Sequence, residues 1–135
     1  IHTPGHSKDH TVFFEASQGW LFSGDLYLAD KIKYFRADEN IVEEITALKK
    51  VASLDFEYLF CSHFPKLKQG RTRILKKLQF LETLQGNVVD LWQKGQEAKE
   101  IMVNLRIKEK RLVKWFCTGN VSALNGIRSI IRSQG

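Results

Sequence analysis

The fold is decided by residues 3–10, TPGHSKDH, and residues 20–27, WLFSGDLY. Each stretch places a side chain that can bind metal, His6 or Asp25, in a short loop beside an apolar, strand-like run. His63 follows a third such run in the same way. Loops at strand ends can converge at one edge of a sheet, so we expect the two imidazoles and the carboxylate to meet there. Zinc, manganese and iron all accept such ligands.

A β-hairpin is predicted near the start of the chain. Two β-branched and aromatic runs, residues 11–15 and 20–23, flank the turn residues 17–19, as strands and turns prefer. The second run leads directly to Asp25. Gly24, just before it, permits backbone conformations that other residues resist.

A helix and a further strand are predicted to follow the hairpin. Apolar residues recur at helical spacing over residues 41–51, and Asn40 with Glu43 is typical of a capping box. Residues 57–61 form another short apolar run, which indicates a strand. His63 then lies just beyond the carboxyl end of that strand, where functional groups gather in α/β units.

After Pro65 the strand signals stop and helical patterns take over. A boundary near residues 68–70 therefore divides the chain into a sheet-containing metal half, residues 1–69, and a basic helical region, residues 70–135. Within the second region we predict a helix over residues 74–84 with an interruption at Gly86-Asn87, a helix at 97–105, an apolar patch at 112–116 and a final helix capped by Ser122.

The composition is that of an ordinary globular domain, with 135 residues, 43% of them apolar and 27% charged. No apolar run approaches the ~20 residues of a membrane span, so no membrane partner is expected. Cys61 and Cys117 lie among apolar neighbours and form no disulfide framework. This pattern favours buried thiols and a cytoplasmic location.

The charge is unevenly distributed. Residues 1–65 carry 6 Lys and Arg against 10 Asp and Glu, whereas residues 66–135 carry 15 against 5. A basic half attracts nucleic acid or anionic substrates, but the solvated face of amphipathic helices has the same composition. Basic and aromatic residues are not interleaved as a stacking platform for nucleic acid requires.

The three loops together resemble the third, fourth and fifth metal motifs of the metallo-β-lactamase superfamily of hydrolases. In that family the histidine of the TPGHS loop binds one metal, the aspartate of the GD loop bridges two metals, and the last histidine binds the second. The resemblance assigns these roles to His6, Asp25 and His63. It implies two divalent ions, with zinc expected first and manganese or iron as alternatives.

The resemblance also implies an α/β fold, namely the C-terminal half of an αββα sandwich followed by a small helical region. The opening signature of the family, His-x-His-x-Asp-His, is not in the sequence, where the remaining histidines are His2 and His10. Together with the strand-like run that begins at Ile1, this predicts an incomplete, inactive fragment of a longer protein. Its expected partners are the missing N-terminal half of the fold or a second copy, bound to the apolar sheet face that half a sandwich exposes.

Four further residues are candidates for the site. His10 and Asp9 are expected to orient the metal ligands through hydrogen bonds, although Asp9 also fits an exposed loop position. Tyr27 and Lys66 are candidates for a substrate pocket, with a core tyrosine and an exposed lysine as the alternatives.

The resemblance further implies hydrolysis by a hydroxide that the metal ions activate. Three residues after Asp25 stands Leu28, not the lysine with which antibiotic-degrading members hold a drug carboxylate. We therefore expect a small-molecule ester, thioester or lactone as the substrate. The alternative is a non-catalytic basic module that binds another protein or nucleic acid, in which the His and Asp loops have no catalytic role.

Overall fold

The computed structural model describes residues 1–63, 65, 68–108 and 120–135. Within these ranges strands and helices alternate at first, and helices dominate afterwards. The elements are, in order, β1 (Phe13–Glu15), β2 (Trp20–Gly24), β3 (Phe35–Arg36), α1 (Ile41–Ala52), β4 (Tyr58–Cys61), α2 (Gly70–Gln93), α3 (Ala98–Asn104), β5 (Val121–Ser122) and α4 (Ala123–Arg132).

The larger sheet has the strand order β1-β2-β4. β1 pairs with β2 antiparallel, which confirms the predicted hairpin. β2 pairs with β4 in parallel, and the register shifts between Phe22 and Gly24. Because β2 and β4 run in the same direction, the loops that carry Asp25 and His63 leave the sheet at the same edge.

The loop that carries His6 is closed at its base. His2 and Thr11 form an isolated antiparallel bridge. The backbone N–H of Thr3 donates to the carbonyl of His10 at 2.9 Å, and that of Val12 donates to the carbonyl of Ile1 at 3.0 Å. Residues 4–9 therefore protrude as a loop from a short two-stranded ladder.

The two faces of the larger sheet differ in burial, as the alternation of side chains along a strand requires. Leu21 and Leu59 are fully buried and belong to the core. On the other face Trp20 and Phe22 remain 38% and 41% exposed, and the ring of Phe22 stacks on that of Phe60 with centroids 4.9 Å apart. An aromatic surface is thus left open on one side of the sheet.

Helix α1 begins where the sequence predicts. The side chain of Asn40 accepts hydrogen bonds from the backbone N–H groups of Val42 and Glu43, which confirms the cap. The return bond of a capping box is replaced, because the backbone N–H of Asn40 donates to the carbonyl of Gly5 at 2.8 Å. The cap thereby fastens the His6 loop to the start of α1.

Helix α2 runs without a break from Gly70 to Gln93, so the predicted interruption at Gly86-Asn87 is wrong. A glycine in a helix interior costs only about 1 kcal/mol relative to alanine. The buried side chains of Leu81 and Val88, on either side of Gly86, outweigh that cost by packing in the core.

The smaller sheet was not predicted. β3 pairs antiparallel with β5, joining Phe35 to Ser122 and Arg36 to Val121. β5 lies after Pro65, in the region where the sequence has no strand signals. Ser122 also caps α4 by accepting a hydrogen bond from the backbone N–H of Asn125, which confirms the predicted cap. The predicted patch at residues 112–116 lies outside the described residues.

One buried cluster includes side chains from both predicted regions, among them Leu21, Leu48 and Leu59 from residues 1–69 and Ile74 and Ile127 from residues 70–135. The boundary near residue 69 stays a prediction, but the two regions share this core. Among the described helices, none has both the length and the apolar character needed to cross a membrane.

Candidate metal centre

The three predicted ligands lie together at one edge of the larger sheet. His6 Nε2 is 3.5 Å from Asp25 Oδ2, and His63 Nε2 is 3.6 Å from Asp25 Oδ1. Each carboxylate oxygen therefore faces a different imidazole. The convergence comes from the parallel pairing of β2 with β4 and from the ladder at the base of the His6 loop.

Both distances are longer than a good hydrogen bond. Two atoms bound at ~2.1 Å to one tetrahedral ion lie ~3.4 Å apart, so the observed separations suit atoms that share a metal ion. Asp25 Oδ1 is also buried without a hydrogen-bond partner among the described residues. Because a buried polar atom ordinarily has a partner, this oxygen fits the position of a metal ligand.

The arrangement is two pairs that share Asp25, not one compact triad. In the part of the chain that the structure describes, no three His, Cys, Asp or Glu side chains form a group arranged to hold a metal ion. This geometry is the one expected of a carboxylate that bridges two metal positions, each of which also has one imidazole ligand. The donor set fits divalent zinc, manganese or iron.

Glu39 orients the ring of His6. Its Oε1 atom lies 2.7 Å from His6 Nδ1, and both side chains are largely buried. The hydrogen bond with Glu39 raises the pKa of His6 above its ordinary value of 6.5, although burial acts in the opposite direction. Because Glu39 accepts the proton on Nδ1, the lone pair on Nε2 faces Asp25 when the ring is neutral.

Glu39 is itself held in place. Its Oε2 atom accepts a hydrogen bond from the backbone N–H of Arg36, and its carbonyl accepts one from Ser129 Oγ. Sequence reasoning missed this residue because Glu39 approaches His6 only through the fold. The signal available in the sequence was an acidic pair, Asp38-Glu39, directly before the cap of α1.

His10 packs between the two loops that carry His6 and Asp25. Its Nδ1 atom is 2.8 Å from Thr3 Oγ1, and its ring meets that of His6 edge to face at 6.1 Å. Burial lowers the pKa of His10, and the neighbouring His6 adds to this effect. A role in orienting the ligands stays a prediction, which this placement supports.

Gly24 is required next to His10. Its φ is +51°, and a Cβ atom there would lie 3.1 Å from His10 Nε2. Both the backbone conformation and the close approach therefore favour glycine immediately before Asp25.

Two of the remaining candidates, Asp9 and Tyr27, form hydrogen bonds with residues other than the three predicted ligands. Asp9 is exposed and accepts a hydrogen bond from Ser7 Oγ, which lowers its pKa. Tyr27 is only 2% exposed and donates to Asp30 Oδ1 at 2.6 Å, so it occupies a core position and its burial does not support a role in a pocket. Lys66 lies outside the described residues.

Two sequence comparisons relate residues of this chain to known proteins. The family model described as "Metallo-beta-lactamase superfamily" matches residues 1–63. A protein of Drosophila melanogaster named "Beta-lactamase-like protein 2 homolog" is 35% identical over 63 residues, which are 47% of this chain and 20% of that protein. The match thus spans about a fifth of the length of this relative.

A solved structure provides the fold comparison. The crystal structure of a metallo-beta-lactamase family protein from Thermus thermophilus matches with a TM-score of 0.64 and 19% identity. The match covers 100% of this chain and 44% of the Thermus protein. It shows that residues of both predicted regions have counterparts within one such fold.

Proposed function

We propose that the chain forms part of a metal-dependent hydrolase of the metallo-β-lactamase superfamily, whose family model matches residues 1–63. His6, Asp25 and His63 are the proposed ligands of two divalent ions. Zinc is the proposed metal, because imidazole and carboxylate are its common ligands. The proposed substrate is a small-molecule ester, thioester or lactone.

The observation that carries the proposal is the position of Asp25. Its two oxygens face two different imidazoles at 3.5 and 3.6 Å, and one of the oxygens is buried with no partner among the described residues. A structural aspartate in a turn would bond its own backbone instead. Two separate metal positions on one carboxylate account for both features.

The residues of this chain have distinct tasks in the proposed site. His6 and His63 each present Nε2 toward Asp25 and must be neutral to bind a metal ion. Glu39 accepts a hydrogen bond from the Nδ1–H group of His6 and so fixes the tautomer and the plane of the ring. Metal ions held by these residues would supply a nucleophile at neutral pH, because coordination lowers the pKa of a bound water toward about 7.

The number of ligands limits what the 135 residues do alone. Among the described residues, three side chains spread over two metal positions leave each proposed ion short of the four ligands that zinc prefers. We propose that further ligands come from a part of the fold outside these residues, since the matched relatives are much longer than the aligned segments. The isolated 135 residues are expected to be inactive.

The test is hydrolysis by the whole protein of a panel of ester, thioester and lactone substrates, before and after removal of metal with a chelator. Asp25→Asn should lower kcat/KM by more than the roughly 10- to 100-fold typical of a partner residue of a ligand. Asp55→Asn, at an exposed position outside the site, is the matched control. Activity that survives both chelation and Asp25→Asn would refute the proposal.

A further inference from the structure

Lys77 of helix α2 is buried and contacts Leu26, the residue directly after Asp25. Among the described residues it is the only lysine or arginine in a buried position, with 1% of its surface exposed. Its Nζ atom donates to the carbonyl of Leu26 at 2.6 Å and to Glu44 Oε1 at 2.5 Å. A buried ammonium group is costly unless it is paired and hydrogen-bonded, so these two contacts hold the side chain in one position.

The first contact of Lys77 fixes the loop of Asp25. The backbone N–H of Leu26 donates to the carbonyl of Ser23 at 3.0 Å and closes a tight turn around Gly24 and Asp25. Lys77 Nζ donates to the carbonyl of the same Leu26. Leu26, which follows Asp25, is thereby hydrogen-bonded at both its N–H and its carbonyl.

The second contact fixes the loop of His6. Gly5 lies so close to α1 that a Cβ atom on it would be 2.5 Å from the backbone N and Cα of Glu44. Glu44 therefore forms the surface on which the His6 loop rests, and its side chain is the ion-pair partner of Lys77. One ammonium group thus connects the supports of both ligand loops.

A second contact between α2 and the Asp25 loop lies one helical turn away. Arg73 Nη1 donates to Asp30 Oδ2 at 2.8 Å, and Asp30 Oδ1 accepts the hydroxyl proton of Tyr27. Arg73 and Lys77 are four residues apart and so lie on one face of α2. Together they hold the loop from Asp25 to Asp30 at its two ends.

We propose that Arg73 and Lys77 are positioning residues that set the distance between His6 and Asp25 for metal binding. Two basic side chains of the helical region are thereby assigned to the metal centre, although neither reaches a ligand atom. This inference rests on the proposed function, since it assumes that the two loops bind a divalent ion.

The test measures binding of Zn²⁺ by the whole protein, with the absorption spectrum of the Co²⁺-substituted protein as a second readout. Lys77→Met/Glu44→Leu replaces the pair by apolar residues of similar size, a change that buried ion pairs often tolerate in stability. Lys49→Met/Glu82→Leu is the matched control. That pair also joins α1 to α2, at 2.8 Å, but it is exposed.

We expect the Lys77 double variant to bind zinc about tenfold more weakly and to show an altered Co²⁺ spectrum, as for other changes around metal ligands. The control should match the parent protein in both readouts. A folded Lys77 double variant with the zinc affinity and spectrum of the control would overturn the positioning role and leave the proposed function intact. A parent protein that binds no zinc would overturn both.

If the Lys77 double variant does not fold, Arg73→Gln decides the question. Arg73 is only partly buried, and Asp30 keeps its bond from Tyr27 in this variant. A weaker zinc affinity at an unchanged thermal midpoint supports the positioning role. An unchanged zinc affinity overturns it.

Discussion

Glu39 is the residue on which the orientation of His6 depends. Its carboxylate lies 2.7 Å from Nδ1 of His6, while the other ring nitrogen faces Asp25. Carboxylates in this position orient a ligating imidazole and increase its basicity. The proposed metal centre therefore extends beyond its three ligands.

The first prediction concerns this contact. Glu39→Gln keeps the size of the side chain but removes its charge, so zinc affinity of the whole protein should fall by roughly 10- to 100-fold. Competition with a chromogenic chelator measures the affinity, and Glu15→Gln, at an exposed position, is the control. Equal affinities in the two variants would show that Glu39 does not support the ligand.

The second prediction concerns pH and Asp30. Burial alone would raise the pKa of Asp30, but the hydrogen bonds from Tyr27 and Arg73 outweigh burial and lower the pKa below 3.8. Because the folded-state pKa is depressed, the stabilisation is present above pH 3.8 and is lost as the pH falls through the lower, folded-state pKa.

Asp30→Asn should therefore lower the free energy of unfolding by about 1 kcal/mol at pH 7. The difference between the variant and the parent protein should shrink below pH 3.8. Urea unfolding across acidic pH measures it. A difference that is constant with pH, or that grows toward acid, would contradict the assignment.

At the level of single residues the sequence predicted the three side chains that the structure brings together, but it missed the residues that support them. His6, Asp25 and His63 are recognisable because each is part of a short contiguous motif. Glu39 and Lys77 carry no such motif, and their contacts with the ligand loops are made between distant parts of the chain. Such contacts depend on tertiary packing, which local sequence patterns do not specify.

At the level of elements, two glycines of helix α2 have opposite roles. A Cβ atom added to Gly86 would meet open space. A Cβ atom added to Gly70 would lie 2.8 Å from the carbonyl oxygen of Glu57 and 2.8 Å from Leu59 Cβ. The N-terminus of α2 can therefore pack against β4 only because residue 70 has no side chain.

The third prediction follows from this contrast. Gly86→Ala should stabilise the protein by about 0.5–1 kcal/mol, because alanine restricts the unfolded chain and favours a helix. Gly70→Ala should destabilise it by roughly 1–3 kcal/mol through overpacking. Thermal unfolding of both variants measures the effects, and the same sign for both would refute the assigned packing of α2.

The elements that the sequence predicted well have strong local signals. The cap at Asn40 and the helical period of α1 both lie within one short segment. Gly86 suggested a break in the helix because the sequence shows a glycine, which destabilises a helix locally. The sequence does not show how α2 packs in the core. β5 has only two residues, Val121 and Ser122, and so short a strand has no detectable period.

At the level of the whole molecule, the main exposed apolar feature of the described residues is one face of the larger sheet. Trp20, Phe22 and Phe60 form a connected aromatic cluster there, and Phe13 is 69% exposed. Contiguous apolar surface of this kind ordinarily marks an interface. The described residues include the exposed apolar face that was expected from the sequence, and the partner for it stays a prediction.

The fourth prediction is that the 135 residues, produced by themselves, form a dimer through this aromatic face. Phe22→Lys should shift the protein to a monomer in sedimentation velocity, because a charge cannot be buried there without a partner. Leu75→Lys, at a site of similar exposure on α2, should leave the dimer intact. A folded parent protein that sediments as a monomer would contradict this prediction.

We propose above all that His6, Asp25 and His63 bind metal ions that share the carboxylate of Asp25. Anomalous diffraction at the zinc absorption edge, from crystals of the zinc-loaded whole protein, tests it most directly. We expect two zinc peaks, one ~2.1 Å from His6 Nε2 and one ~2.1 Å from His63 Nε2, each also bound by an oxygen of Asp25. Zinc peaks elsewhere, or three side chains without a bound ion in zinc-saturated crystals, would contradict it.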